Sequence, residues 1–409
     1  MTQALPAHST RCPQCDLEVA LPSLAEGQKA DCPRCGETLC ALPVRVYDSV
    51  IAWALCALFF LVLSLSFPLM ALNVEGVHQQ ITLLGSADAL LKEDFTLLSD
   101  VLVLAVLLIP ALFLTATLYV YGGLRRDRYL IGMRSAAQVA LACRPWMMAD
   151  VFLLAILVSV IKLASLADVS LGKAFWAMLL FALALTRTVS LVNGHWLLMA
   201  LARVDARTLN AEDAHGFCPH CGAPHLAGQR RCTRCYSTLA RRRAHSVQLT
   251  LAFLVTAIVL YVPANLYPIM VTEYLGRSDP STILQGVLLL WQLGSYPVAL
   301  VILIASVLIP IAKFLALILL LVASQHPFHD ARRHTQLYRV VEFIGRWSMV
   351  DVFVVSLMVA LVQMGQLMSI YPGIAALSFA GMVVFTMLAA MCFDVRLVWD
   401  AELERPRND

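Results

Sequence analysis

The chain has 409 residues, 60% of them hydrophobic and 14% charged, with a mean hydropathy of +0.76. Ordinary globular chains are about 45–50% apolar and about 25% charged, so a soluble enzyme built on one central core is excluded. The net charge of +3 is too small to imply a general polyanion-binding surface, and no nucleic-acid partner is expected.

In chain order, Met1 to Thr10 holds no apolar stretch, so no cleaved signal peptide is expected. A cysteine module follows, with Cys12, Cys15, Cys32 and Cys35. Runs of about 20 apolar residues then predict eight membrane spans. They lie near 49–72, 98–121, 147–168, 173–195, 247–272, 297–323, 348–370 and 374–393. A second module, Cys218, Cys221, Cys232 and Cys235, separates the fourth span from the fifth. Of the 30 Lys and Arg residues, 24 fall in the N-terminal segment, the loops 122–146, 202–246 and 325–347, and the tail. The opposite loops hold only Lys92, Lys173 and Arg277. Because basic residues are retained on the cytoplasmic side, both termini and both cysteine modules are expected there. Thiols stay reduced in that compartment, so a disulfide framework is not expected.

The two halves read as copies. Thr82–Pro110 aligns without gaps with Thr282–Pro310, and the same shift of 200 sets Phe67-Pro68-Leu69-Met70 on Tyr267-Pro268-Ile269-Met270. A shift of 201 sets Trp146 and Asp150-Val151-Phe152 on Trp347 and Asp351-Val352-Phe353. The predicted fold is an all-α polytopic membrane protein, a tandem repeat of two four-helix modules inserted the same way up. Its expected parts are a first ribbon at 1–46, four spans at 47–204, a second ribbon at 205–245, and four spans with a short tail at 246–409.

Sixteen residues separate the first two C-x-x-C pairs and ten separate the second two, which fits zinc-ribbon spacing. Two cysteines three apart on a tight turn can aim both thiolates at one ion, and two such turns complete a tetrahedron. Four thiolates leave no open position, so two structural zinc sites are expected rather than catalytic ones. Segments this short cannot bury enough apolar surface to fold alone, and the metal would supply the difference. A thioredoxin-like redox pair would need a βαβ context, which neither flank offers.

Polar groups inside the spans form the second set of candidates, since a buried charge there usually faces a cavity or a partner. Lys162, with Ser159 and Ser165 three residues to either side, shares one helix face. Ser306, Pro310 and Lys313 share another. Thr186 and Thr386 are read as matching positions, and Arg187 lies beside the first of them. Asp150 and Asp351 start their spans, where the helix dipole or Arg144 and Arg346 would stabilise them, and Ser348 is a candidate cap. Snorkelling of the lysines to the nearer interface is the alternative to a polar cavity. There is no phosphate-binding G-x-x-x-x-G-K-[ST], no H-E-x-x-H and no G-x-S-x-G, so no enzyme is expected. Any uphill movement would draw on an ion gradient or on a partner.

Together these residues resemble the paraquat-inducible protein A family of bacterial inner-membrane proteins. The resemblance is carried by the ribbon ahead of each half, the Phe67–Met70 and Tyr267–Met270 span ends, Val307–Lys313, Arg346–Phe353 and the tail Phe393–Asp400, and it covers nearly the whole chain. Val395 stands where the family usually has proline. The resemblance implies an inner-membrane component of lipid transport between inner and outer membranes. It would load or unload phospholipid for a periplasm-spanning tunnel partner built of MCE domains. Lys162, Ser165, Ser306, Lys313, Ser348 and Thr386 then become candidates for the drive, with Asp150 and Asp351 at the edge of the network. A scaffold whose ribbons bind a partner, or a redox or stress-linked membrane protein, are the competing classes.

Overall fold

A computed structural model of the chain describes residues 8–74, 77–92, 96–163, 168–204, 216–218, 223–226, 228–235, 237, 239, 242–274, 277–292, 294, 296–326, 330–361 and 368–403. It is mainly helical. Among the described residues, seven helices are long and apolar enough to cross a membrane, which makes the protein a multi-pass membrane protein.

The first half opens with two hairpins, β1 (His8–Arg11) with β2 (Glu18–Leu21) and β3 (Lys29–Asp31) with β4 (Thr38–Ala41). Helix α1 (Val46–Ser66) follows and ends before Pro68, where the chain turns extended. Between α1 and the next membrane-crossing segment lie two strands and a short helix. Strands β5 (Met70–Val74) and β6 (Val77–Ile81) pair antiparallel, and the short helix α2 (Leu83–Lys92) follows them. Helix α3 (Thr96–Val103) runs through a π-helical turn at Leu104–Leu108 into α4 (Ile109–Arg125). The Ile109 N–H reaches back five residues to the Leu104 carbonyl, beside Pro110, which has no N–H to give. Then come α5 (Met133–Cys143), α6 (Ala149–Leu163), β7 (Asp168–Leu171), α7 (Lys173–Leu191) and α8 (Gly194–Val204). Strand β7 completes a three-stranded sheet with β5 at its centre.

The second half begins with β8 (Gly216–Phe217) and β9 (Pro224–His225), then repeats the pattern. Helix α9 (Ser246–Leu266) leads to the hairpin β10 (Met270–Tyr274) and β11 (Arg277–Ser281), and then to α10 (Ile283–Gln292). Helix α11 (Tyr296–Leu303) passes through a second π turn, Ile304–Leu308, into α12 (Ile309–Ala323). After it come α13 (Ala331–Trp347), α14 (Val350–Leu361), β12 (Met368–Pro372), α15 (Ile374–Cys392) and α16 (Arg396–Leu403), with β12 pairing β10. Residues 362–367, within the predicted seventh span, lie outside the described residues. The described part of that span is the 12-residue α14, too short to count among the seven crossing helices.

Within each half the first and last long helices pair, α1 with α7 and α9 with α15, and α14 packs on α6 between the halves. At that junction the repeat-related Phe152 and Phe353 meet edge to face at 5.5 Å. The outward stripes of α1 and α9 expose Leu55, Phe59, Val62, Val255, Val259 and Leu266, as helices bordering lipid should. A glycine joins each three-stranded sheet to its following helix. The Gly172 and Gly373 N–H groups donate to the Leu69 and Ile269 carbonyls, and a β-carbon on either glycine would collide with the Pro68 or Pro268 carbonyl.

Candidate metal centres and a buried lysine

In the first ribbon each C-x-x-C pair sits on a knuckle that the backbone closes. The Cys12 and Cys32 N–H groups donate to Leu17 and Glu37 carbonyls at 2.9 and 2.7 Å. The residues after each second cysteine, Asp16 and Gly36, take left-handed φ of 58° and 73° and donate back to the Cys12 and Cys32 carbonyls. The two knuckles face each other, with Cys12 and Cys35 Sγ atoms 3.5 Å apart and Cys15 and Cys32 3.6 Å apart. All four sulfurs are buried and lie within 4.8 Å of one another. A tetrahedron with metal–sulfur bonds of about 2.3 Å has edges of about 3.8 Å, so the donor set fits a thiophilic ion. Four thiols this close also share protons unevenly. Hydrogen bonds from Cys12 and then Cys15 pull the Cys35 thiol well down, while Cys12 is pushed up by Cys15 and Cys35. A dication would hold all four as thiolates.

The second ribbon brings Cys218, Cys232 and Cys235 within the same 4.8 Å. Its knuckle bonds recur, Cys218 N–H to Ala223 and Cys232 N–H to Ser237 at 2.7 and 2.9 Å. Cys221 lies outside the described residues, so this cluster is described for three of its four predicted ligands. Cys40 is fully buried behind the first ribbon, and burial raises its thiol to about 11, which keeps it protonated and makes it core rather than ligand.

Each ribbon also docks on the other half. Arg339 of α13 donates to Gln14 Oε1 at 2.7 Å and to the Cys35 carbonyl at 3.1 Å, and pairs with Glu37 at 3.0 Å. Arg34 stacks over Trp399 of α16 at 4.1 Å from the ring centre. Arg242 bridges Asp400 and Asp16, at 2.5 and 2.8 Å. In the opposite sense, Arg134 and Gln138 of α5 donate to the Thr233 and Cys235 carbonyls of the second ribbon. These contacts join residues that are 97 to 365 positions apart in sequence. No local spacing announces such pairs, and sequence reasoning missed all of them.

Inside the spans, Lys313 is 3% exposed and donates to Thr386 Oγ1 at 2.9 Å, linking α12 to α15. Thr386 in turn donates to the Val383 carbonyl at 2.7 Å. Among the described residues, Thr386 is the one hydrogen-bond partner of Lys313, and no carboxylate pairs with it. Ser306 is buried on the π turn of the same helical segment. The Ser348 hydroxyl is buried with no partner among the described residues, so it does not act as the cap the sequence suggested. Asp150 is exposed at the start of α6 and forms no ion pair with Arg144 among the described residues. Lys162 and Asp351 lie on α6 and α14, but their side chains are outside the described set, as is all of Ser165.

Thr186 and Thr386 do not correspond. Helices α7 and α15 begin at Lys173 and Ile374, a shift of 201, so Thr386 matches Leu185 and Thr186 matches Met387. The polar set has no copy in the first half: at a shift of 200 Ser306 and Lys313 correspond to Val106 and Phe113, and at 201 Ser348 and Thr386 correspond to Met147 and Leu185, all four buried.

Comparison with known proteins agrees with this architecture. The chain is 43% identical over 406 residues to "Intermembrane transport protein PqiA" of Escherichia coli (strain K12), covering 97% of each chain. It is 30% identical over 394 residues to "Lipophilic envelope-spanning tunnel protein A" of the same organism, covering 96% of this chain and 91% of the relative. A "Probable intermembrane transport protein" of Haemophilus influenzae is 27% identical over 402 residues, covering 95% of each. No solved structure matches the chain significantly. The family described as Paraquat-inducible protein A matches twice, at residues 47–201 and 247–402, and the chain belongs to that family.

Proposed function

We propose that this protein is the inner-membrane component of a lipid transport system between inner and outer membranes. It would load or unload phospholipid for a periplasm-spanning MCE-domain tunnel. The names of its relatives, intermembrane transport and envelope-spanning tunnel proteins, support the direction of this reading. The Arg and Lys distribution supports cytoplasmic termini and ribbons, with the two three-stranded sheets on the periplasmic side where a tunnel partner would dock.

The observation that carries the mechanism is Lys313. An ammonium buried in an apolar bundle, with one neutral partner among the described residues, is costly, and groups kept at such cost usually work. In this reading, protonation changes at Lys313, within reach of Thr386, bias the second module between two arrangements. Alternation of the modules passes lipid to the tunnel. Lys162, Ser165, Asp150 and Asp351 would contribute from the first module and the module edges. The π turns before Pro110 and Pro310 supply weakened helix segments that can re-form. The ribbons hold zinc in two four-cysteine sites, the second completed by Cys221, and act structurally. No catalytic step is assigned.

Mass spectrometry of the protein gently extracted from its own cells tests this reading. An MCE-domain polypeptide and retained phospholipid are expected. Neither of them, with both metals still bound, would favour a scaffold whose ribbons are the working part.

A further inference from the structure

Between α6 and α7 the first half carries an open groove of about 340 Å³, within the range of small-molecule sites. Its two ends differ. Asp150, from the first turn of α6, meets Thr186, Arg187 and Ser190, from the last turns of α7. Deeper along both helices the walls are Leu153 and Leu183, with Leu179 about 12 Å from Arg187 along the helix axis. Arg187 is exposed and has no ion-pair partner among the described residues, although it lies on a membrane-crossing helix. Four residues from the end of α7, its guanidinium can stand at the bilayer interface, the depth at which lipid phosphates lie.

The groove therefore offers a planar cationic fork, a separate carboxylate and an apolar channel leading toward the bilayer interior. A phosphodiester matches the guanidinium bidentately, a primary ammonium matches Asp150, and an acyl chain matches the leucine walls. The second half does not repeat it. At the shift of 201, Thr186, Arg187 and Ser190 become Met387, Leu388 and Met391. A polar lip that only one copy keeps is not a by-product of the repeat.

We infer that the α6–α7 groove binds one phospholipid with an amine-bearing headgroup, its phosphate on Arg187 and its amine on Asp150. It is the entry or exit site in the first module, complementary to the Lys313 site in the second. The inference rests on the transport reading for its orientation, which places the polar end at the cytoplasmic leaflet.

The test is native mass spectrometry of the full-length protein titrated with three probes: dioleoylphosphatidylethanolamine, dioleoylphosphatidylglycerol and dioleoylglycerol. The expected order is ethanolamine, then glycerol, then the phosphate-free lipid. Arg187→Leu, which installs the residue of the other half, should weaken both phosphatides about tenfold and leave dioleoylglycerol unchanged, the loss expected of one charge-assisted bond. Arg187→Lys should recover part of it, since the charge returns without the bidentate fork. Asp150→Asn should abolish the preference for ethanolamine while leaving phosphatidylglycerol in place, a readout that survives if Arg187→Leu folds poorly. Equal binding of all three probes, or binding indifferent to both substitutions, would mean annular lipid only and overturn the inference. The same variants scored for lipid movement between membranes separate the two claims. Specific binding with movement that ignores Lys313→Met and Arg187→Leu sinks the transport reading and leaves the groove. Movement that needs Lys313, with binding indifferent to Arg187 and Asp150, sinks the groove alone.

Discussion

Lys313→Met should remove transport without removing stability, and the structure gives the reason. The substitution keeps length and apolar volume but deletes a buried charge. Its partner is left satisfied, because Thr386 already donates to the Val383 carbonyl. A charge at mid-bilayer costs about 2.5–3.5 kcal/mol on insertion scales. The single hydrogen bond to Thr386 returns about 1.5–3 kcal/mol. The expected change is thus from zero to about 2 kcal/mol of added stability, as when a buried ion gives way to an apolar residue of similar volume. Thr386→Val is the opposite case. It strands the ammonium with no partner and should destabilise by about 1–3 kcal/mol. The double variant should follow Lys313→Met, since the group that needed Thr386 is gone, giving strong non-additivity. Thermal unfolding in detergent, read by the surviving monodisperse fraction, measures all three. A Lys313→Met protein several degrees less stable than wild type, or a neutral Thr386→Val, would refute the picture of an uncompensated lysine held for function.

Other outcomes follow from the same geometry. Arg339→Ala removes three contacts to the first ribbon and should undock it at a cost on the order of 1–3 kcal/mol, seen as faster protease cleavage near residue 42 with the spans intact. Chelation at neutral pH, or Cys35→Ser, should expose the same segment, with about one metal released per ribbon. Gly172→Ala or Gly373→Ala should misfold the sheet-to-helix junction, because the new β-carbon meets a proline carbonyl that is backbone and cannot step aside; expression with monodispersity reports it. Burial alone would raise the Asp394 carboxyl, but hydrogen bonding to Arg396 outweighs it and holds the pKa below its ordinary 3.8. A carboxyl depressed in the folded state adds stability above its ordinary pKa and loses it as pH falls through the folded value. Docking of α16 should therefore hold down to about pH 4 and weaken below it, as followed by Trp399 fluorescence.

Much of the architecture was legible because membrane burial and duplication write long-range order into local pattern. Apolar runs and aligned prolines repeat at a shift of 200 or 201, and a pair of C-x-x-C motifs precedes each half. The two three-stranded sheets were less legible. Strands β5, β7, β10 and β12 are four or five residues long, and their pairing joins segments about 100 residues apart, so no period betrays it. The tail is instructive. Phe393–Asp400 was recognisable as a motif, but only the structure shows Asp394 and Arg396 paired, Trp399 under Arg34 and Asp400 on Arg242, a docking surface for the first ribbon. Face assignments inside spans were the weakest point. A one-residue offset between repeat halves turned Thr186 and Thr386 into false equivalents, one lining an open groove and the other buried on Lys313.

The most direct test follows isotopically labelled phospholipid between inner and outer membranes in cells whose envelope lipid traffic depends on this system alone. Wild type and Lys313→Met would be compared at matched membrane levels. The account predicts that the variant inserts, binds its metals and stops net movement. Full movement by a normally inserted Lys313→Met protein would contradict it.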